Sequence, residues 1–241
     1  MSEPADPSAP LDDSAFDQAL VSAAFQQAAA LGWRNVQIGA AACAVGLSVA
    51  RARQRFPSRA ALLVRFARLA DAAALAEPAQ AESVRDRLFG MLMRRLDVFQ
   101  AHRAGVLALL GGLPYRPQTT VFLAVLTGTS MRWALDAAGA STVGVAGRLR
   151  IKGLIAVWLW TLRAWQRDQT TDLAPTMATL DAALGRAERT AAWLSSLHCP
   201  GATATSSPGE AAGTGKDPPD DPADDTPFHS SEPSPRSGPH T

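Results

Sequence analysis

Apolar side chains recur at three- and four-residue spacing along most of the chain, with short polar, glycine- or proline-containing breaks between the runs. This spacing puts the apolar positions on one face of an α-helix, whereas a half-buried strand needs strict alternation. Serines before several runs and glycines or prolines after them mark where helices begin and end. The pattern predicts helices at about 14–32, 37–44, 48–55, 58–75, 83–100, 102–111, 119–138, 145–167 and 174–197.

Composition supports an all-α fold. Apolar residues make up 47% of the 241 positions, which is enough for a sizeable core, and only one residue is a tyrosine. Much of the apolar fraction is alanine and leucine, which favour helix over strand. The run at 145–167 is apolar most of the way round, so we expect that helix to lie at the centre of an antiparallel bundle.

The chain divides into four predicted segments. They are a flexible arm at 1–13, a helix-turn-helix domain at 14–76, a helical bundle at 82–198, and a disordered acidic, proline-rich tail at 199–241. From residue 200 onward, seven acidic residues face two basic ones, which leaves the rest of the chain with 21 basic against 15 acidic residues. A mildly basic body suits an anionic partner, either DNA or a membrane surface, but a solvated basic face is also compatible with it.

Cysteine usage and hydropathy indicate a cytoplasmic protein. Cys43 and Cys199 lie far apart in the sequence and form no metal-ligand or disulfide framework. No uninterrupted apolar run reaches membrane-spanning length, so any membrane contact would be peripheral, at the inner face. The last helix carries an apolar face and a tryptophan near its end, and such a helix can lie on a bilayer, close a bundle or form a dimer seam.

A helix-turn-helix motif occupies residues 37–59, QIGAAACAVGLSVARARQRFPSR. Two short helices joined by a glycine-containing turn have the spacing of a DNA-reading unit. Gly46 supplies the turn and Ser48 caps the second helix, whose arginines can pair with phosphates or guanine edges. The candidate DNA contacts are Ser48, Arg51, Arg53, Arg55 and Arg59.

Residues 14–75 resemble the N-terminal domain of TetR-family regulators. The matching pieces are Ala24, Phe25 and Gly32 of the first helix, the Ala-Val-Gly-Leu-Ser turn, and Phe56-Pro57-Ser58-Arg59 with Leu62. The resemblance implies a ligand-responsive repressor that binds DNA as a homodimer. Ala50 and Arg53 stand where that family usually has a glycine and an aromatic, so a motif kept only for packing, with solvated arginines, remains an alternative.

The part from 83 to 188 resembles the Coq-nine family, lipid-binding accessory proteins of ubiquinone biosynthesis with a TetR-like fold. The matching pieces are Arg94-Arg95-Leu96, His102-Arg103, Trp133 before Gly139, the run 150–165, Asp168-Gln-Thr-Thr171-Asp172-Leu173, and Thr176 to Leu180-Asp181. The resemblance implies a bundle that encloses an isoprenoid or quinone-like lipid. The candidate pocket residues are Met91, Leu92, Leu96, Leu123, Leu126, Met131, Trp133, Leu154, Trp158 and Leu162.

We expect no enzymatic activity and no cofactor. The sequence has no phosphate-binding glycine loop, nucleophile elbow or metal-ligand cluster. Three interpretations remain, and the first is the main one: a lipid- or quinone-binding accessory protein, a ligand-gated DNA-binding repressor, or a structural bundle without a ligand. Methionines and tryptophans suit an adaptable lipid pocket, but the same residues also make an ordinary packed core.

Overall fold

The structure, a computed structural model, describes residues 12–76 and 83–197, apart from the side chains of 194–197. In these ranges the chain forms nine α-helices and two short 3₁₀ turns, with no strand, which confirms the all-α prediction. The arm before residue 12, the hinge around Pro78 and the predicted acidic tail lie outside the described residues. The helices are α1 (Asp13–Leu31), α2 (Ile38–Ala44), α3 (Val49–Arg55), α4 (Arg59–Leu75), α5 (Val84–Ala101), α6 (Arg103–Gly112), α7 (Pro117–Ala137), α8 (Gly144–Arg167) and α9 (Ala174–Leu197).

Helix starts follow local capping chemistry, with two shifts from the predicted positions. α1 begins at Asp13, one residue before the predicted start at 14, because its cap is Asp12 and not the serine at position 14: the Asp12 carboxylate accepts a hydrogen bond from the Ala15 amide at 2.6 Å. α7 begins at Pro117 rather than near 119, since proline fits the first helical position, where no amide donor is needed. Ser58 caps α4 as expected, its hydroxyl accepting from the Ala61 amide at 3.3 Å.

The predicted helix-turn-helix is present as α2 and α3. Gly46 adopts a φ of +68° in the turn, a conformation that L side chains rarely adopt. Ser48 then caps α3 through a 3.3 Å hydrogen bond from the Arg51 amide to its hydroxyl. Ala52 and Phe56 are buried, so they set which face of α3 packs on the rest of the domain.

A chain of aromatic rings runs from the helix-turn-helix into the bundle. The Phe25 ring of α1 lies 4.4 Å from the Phe66 ring of α4, centroid to centroid, and Phe66 lies 5.2 Å from Phe99 of α5. Phe99 continues to Trp158 of α8 at 5.4 Å, edge to face. These residues belong to one hydrophobic cluster on both sides of residues 77–82. The division into separate domains at 76 and 82 stays a prediction.

α8 and α9 pack along each other. The turn between them is organised by Asp168, whose carboxylate accepts hydrogen bonds from the amides and hydroxyls of Thr170 and Thr176. Burial acts to raise the pKa of Asp168, but these hydrogen bonds outweigh it and lower the pKa to about 2. α8 buries only one face, because Leu159 and Trp160 are exposed, so it is not surrounded as the sequence suggested.

None of the described helices combines the length and the apolar character that crossing a membrane requires.

α6 packs closely against α1 at Gly105. A Cβ atom at this position would lie 2.2 Å from the Phe25 carbonyl oxygen, whereas a Cβ at Gly111 of the same helix would meet nothing within 4 Å. We expect Gly105→Ala to lower the free energy of unfolding by about 3 kcal/mol, since the backbone of α1 has to shift. Gly111→Ala should leave it unchanged or raise it by less than about 1 kcal/mol. Urea unfolding of both variants checks this, and equal stabilities would contradict the close packing.

Candidate nucleic-acid interface

α3 presents one exposed face to solvent. With Ala52 and Phe56 turned inward, the exposed positions of the helix are Val49, Ala50, Arg53 and Gln54. The Arg53 side chain makes no ion pair or hydrogen bond with the residues that the structure describes. It borders an open groove of about 360 Å³ together with Ile38, Gly39, Val49, Phe56 and Pro57.

Two of the predicted DNA contacts, Arg51 and Arg55, turn toward α1 instead. Arg51 Nη2 lies 2.5 Å from Asp13 Oδ1, and its guanidinium carbon lies 4.4 Å from the centre of the Phe16 ring. Arg55 Nη1 lies 2.6 Å from Asp13 Oδ2. Because the two arginines are four residues apart, they share the side of α3 that faces α1.

Asp17 is the centre of this ion-pair network. Asp17 is only 2% exposed, and its carboxylate accepts hydrogen bonds from Arg55 Nε at 2.7 Å and from Arg55 Nη2 at 2.8 Å. Arg65 Nε of α4 lies 2.8 Å from Asp17 Oδ2. The hydrogen bonds from Arg55 to Asp17 raise the pKa of that guanidinium above its usual value. One carboxylate of α1 therefore holds both α3 and α4.

The other two predicted contacts have local roles. Ser48 caps α3, and Arg59 donates a hydrogen bond from Nη1 to the backbone carbonyl of Arg34. Of the five residues predicted from sequence, Arg53 is the one whose side chain lies on the exposed face of α3 without a bond to the described residues. That the five contact DNA stays a prediction.

Sequence reasoning missed Asp17, Arg65 and Gln54. Asp17 precedes Leu20, Val21 and Ala24 at helical spacing, so it lies on the buried face of α1, and a carboxylate there needs a cationic partner. This signal was present in the apolar repeat. Gln54 carried no comparable signal, because its exposure follows only once Ala52 and Phe56 are known to be buried.

Seven of the ten predicted pocket residues belong to a filled interior. Met91, Leu92, Leu96, Met131, Leu154, Trp158 and Leu162 are all buried in the hydrophobic cluster. Leu123 and Leu126 of α7 are half-buried, and Trp133 is 62% exposed. The structure brings Met91, Leu92, Met131 and Trp133 together around a cavity of about 10 Å³, room for about one water molecule.

The comparisons with known proteins concern the fold. The chain is similar to the crystal structure of a TetR transcriptional regulator from Nitrosomonas europaea ATCC 19718, at 21% sequence identity and a TM-score of 0.59, covering 72% of this chain and 98% of that one. The chain has a TetR-like fold. The crystal structure of a protein from Rhodococcus sp., described as a putative TetR-family transcriptional regulator, aligns at 18% identity and a TM-score of 0.50, covering 73% of this chain and 98% of that one. No family model and no curated protein matches the sequence.

The interpretation as a lipid-binding accessory protein of ubiquinone biosynthesis is contradicted by these neighbours, which are described as transcriptional regulators. The Coq-nine resemblance finds no support beyond the shared TetR-like fold. The physical reason is visible in the interior, where the residues assigned to an isoprenoid pocket pack against one another. Peripheral membrane contact and a quinone-like ligand lose their support with it.

The network at Asp17 predicts a large effect from a small substitution. We expect Asp17→Asn to lower the free energy of unfolding by about 3 kcal/mol, because Arg55 and Arg65 lose their shared charge partner. The amides of α3 should also exchange faster with deuterium in the variant. Asp13→Asn is the matched control, since the Asp13 side chain is 66% exposed and its ion pairs are screened by water. Equal effects of the two substitutions would show that Asp17 is not the anchor of α3.

Proposed function

We propose that the chain is a non-catalytic, DNA-binding transcriptional regulator. The observation that carries the proposal is the exposed face of α3, which the Asp17 network orients and which offers Arg53 without a bond to the described residues. The likeness in fold to the regulators from Nitrosomonas europaea and Rhodococcus sp. supports it. For such a protein the expected location is the cytoplasm.

The side chains on this face suit the major groove. Arginine pairs with guanine edges or phosphates, and glutamine can form two hydrogen bonds to adenine. Arg53 and Gln54 supply these groups, and the small apolar side chains of Val49 and Ala50 can contact a thymine methyl group. In this arrangement Arg51 and Arg55 lie on the side of α3 that faces α1 and orient the helix through their ion pairs.

A second copy of the chain is the partner that this function requires. Helix-turn-helix proteins commonly read two half-sites one DNA turn apart, at ~34 Å, through a two-fold dimer. Large apolar side chains are exposed on α8 and α9, which pack against each other. They are Leu159 and Trp160 on α8 and Trp193 on α9. Large exposed apolar side chains are candidates for an association face.

DNA binding is tested by selecting target sites from random duplexes and measuring affinity by fluorescence anisotropy. Wild-type protein should bind the selected sequence more tightly than a shuffled duplex of equal length. Arg53→Ala should weaken binding by about tenfold or more, as expected for the loss of an arginine contact. Arg132→Ala, an exposed arginine on α7, is the control and should bind as wild type. Equal affinities for selected and shuffled DNA would rule out sequence-specific regulation.

Dimerisation has its own test. We expect Trp160→Glu to shift the protein from dimer to monomer in size-exclusion chromatography with light scattering, because the charge would be buried between the two copies. Trp133→Glu changes a tryptophan of similar exposure on α7 and should leave the dimer intact: the two residues are 59% and 62% exposed. A wild-type protein that is monomeric at micromolar concentration would exclude the dimer.

A further inference from the structure

His102 lies at the corner between α5 and α6, against the chain of aromatic rings that joins the helix-turn-helix to the bundle. Its ring centroid lies 5.7 Å from that of Phe25 on α1, with an angle of 27° between the ring planes, and 5.7 Å from that of Phe66 on α4. His102 is half-buried, and it is the one histidine among the residues that the structure describes. A ring that can take up a proton near neutral pH therefore lies where α1 and α4 meet this corner.

The imidazole of His102 is held as an apolar packing element. Neither ring nitrogen forms a hydrogen bond or an ion pair with the described residues. The backbone is fixed, because the His102 amide donates to the Phe99 carbonyl at 3.2 Å and the His102 carbonyl accepts from the Val106 amide at 3.0 Å. Contact with two phenylalanine rings suits the neutral imidazole and not the charged one, since a buried charge needs a partner.

Among the described residues, no carboxylate is placed to balance a positive charge on His102. The elements packed around this corner carry the following charged side chains: Asp17 on α1, Arg34 in the 3₁₀ turn Trp33–Asn35, Arg65, Arg68 and Asp71 on α4, Arg95 and Asp97 on α5, Arg103 on α6, and Asp168 after α8. Asp17 and Asp71 are already paired with arginines, and Asp168 accepts hydrogen bonds from two threonines. Asp97 is exposed. Burial therefore decides the direction of the shift, and it lowers the pKa of His102.

α1 and α6 leave little room for movement at this corner. A Cβ atom at Gly105, three residues after His102, would lie 2.2 Å from the carbonyl oxygen of Phe25, so the two backbones are in contact. Phe25 is 1% exposed and lies about two helical turns after Asp17 on the buried face of α1. A change in the position of the His102 ring therefore acts on the helix that holds α3.

We propose that His102 makes the junction of α1 with α5 and α6 sensitive to acid, so that protonation of its imidazole loosens α1 and weakens DNA binding. The imidazolium needs water, which the aromatic cluster does not supply, so the ring turns toward solvent and leaves Phe25. α1 then loses a packing partner two turns from Asp17. The effect on DNA rests on the proposed function, whereas the acid sensitivity of the junction does not.

The sign of the pH dependence follows from the lowered pKa. An unfolded chain binds the proton at the ordinary histidine pKa of about 6.5, and the folded chain binds it only at lower pH. The stability that His102 contributes is therefore present above about pH 6.5, falls as the pH drops through this value, and levels off below the folded-state pKa. Attraction between the imidazolium and the Phe25 ring opposes this loss, but a separation of 5.7 Å is near the limit of ~6 Å for a cation–π contact.

The junction is tested without DNA, by thermal unfolding of the full chain between pH 8 and pH 5. The melting temperature of wild type should fall over this range by about 3 °C or more beyond the fall in His102→Gln, because glutamine is polar but does not titrate. All other titrating groups are common to the two proteins. His229→Gln, at a histidine outside the described residues, is the matched control and should keep the wild-type curve. Parallel curves for wild type and His102→Gln, or an equal effect of His229→Gln, would overturn the proposal.

Proton NMR of wild type gives a readout that needs no variant. The four histidines have separate ring signals, and that of His102 is identified by its contacts with the Phe25 and Phe66 rings. This signal should titrate with a pKa below about 6.5. A value at or above 6.5 would show that the cluster stabilises the charged ring, and the switch would then be excluded.

The effect on DNA is measured by fluorescence anisotropy with the selected site at pH 7.5 and pH 5.5. Wild type should lose about fivefold or more in affinity on acidification, and His102→Gln should lose less than about twofold. General electrostatics has the opposite sign, since added positive charge strengthens binding to phosphates. If wild type binds no selected site at either pH but its stability follows the expected curve, the proposed function fails while the acid-sensitive junction stands. Equal changes in affinity for the two proteins would overturn the effect on DNA binding.

Discussion

The arrangement of the helix-turn-helix depends on one buried carboxylate, Asp17. It lies on the apolar face of α1 and takes hydrogen bonds or ion pairs from Arg55 of α3 and Arg65 of α4. A carboxylate in that position is costly unless it is paired, and an arginine offers the donors to do so. The same pairing that satisfies Asp17 therefore decides how α3 is rotated about its axis.

That rotation separates the arginines of α3 into two groups. Arg51 and Arg55 face the carboxylates of α1, and Arg53 faces solvent beside Gln54. A count of basic residues in α3 treats the three arginines alike, although their environments differ. The ion pairs remove two positive charges from the exposed face and leave one directed at the position where DNA would lie.

A second carboxylate–arginine pair repeats this logic in the bundle. Asp71 binds Arg95 where α4, α5 and α7 meet, and the aromatic chain from Phe25 to Trp158 crosses the same region. α4 is common to both pairs, through Arg65 at one place and Asp71 at the other. One helix, α4, therefore takes part in both pairs.

Much of the fold was predictable from local chemistry. Helix positions, the Gly46 turn and the caps at Ser48 and Ser58 follow from spacing and capping preferences that act within a few residues. The direction of the α3 arginines was not predictable in the same way, because it is set by Ala52, Phe56 and a carboxylate more than thirty residues away.

The interior shows the other limit of sequence reasoning. Met91, Leu96 and Trp158 have the composition of a lipid pocket, but composition does not distinguish a filled core from a hollow one. Trp133 has a helical spacing that fits the inner face, whereas the structure leaves it exposed. The resemblance to the Coq-nine family gave the correct fold and the wrong function, because different functions share one fold.

The most direct test of the account is the salt dependence of binding to a selected DNA site. Each phosphate contact contributes about one unit to the slope of log affinity against log salt concentration. If Arg55 is held by Asp17, then Arg55→Gln leaves this slope unchanged apart from any general weakening. If Arg53 contacts a phosphate, Arg53→Gln should lower the slope by about one unit. If Arg53 contacts a base, the slope should stay unchanged and the preference for that base should weaken. The account would be contradicted if Arg55→Gln lowered the slope by about one unit while Arg53→Gln changed neither the slope nor the base preference.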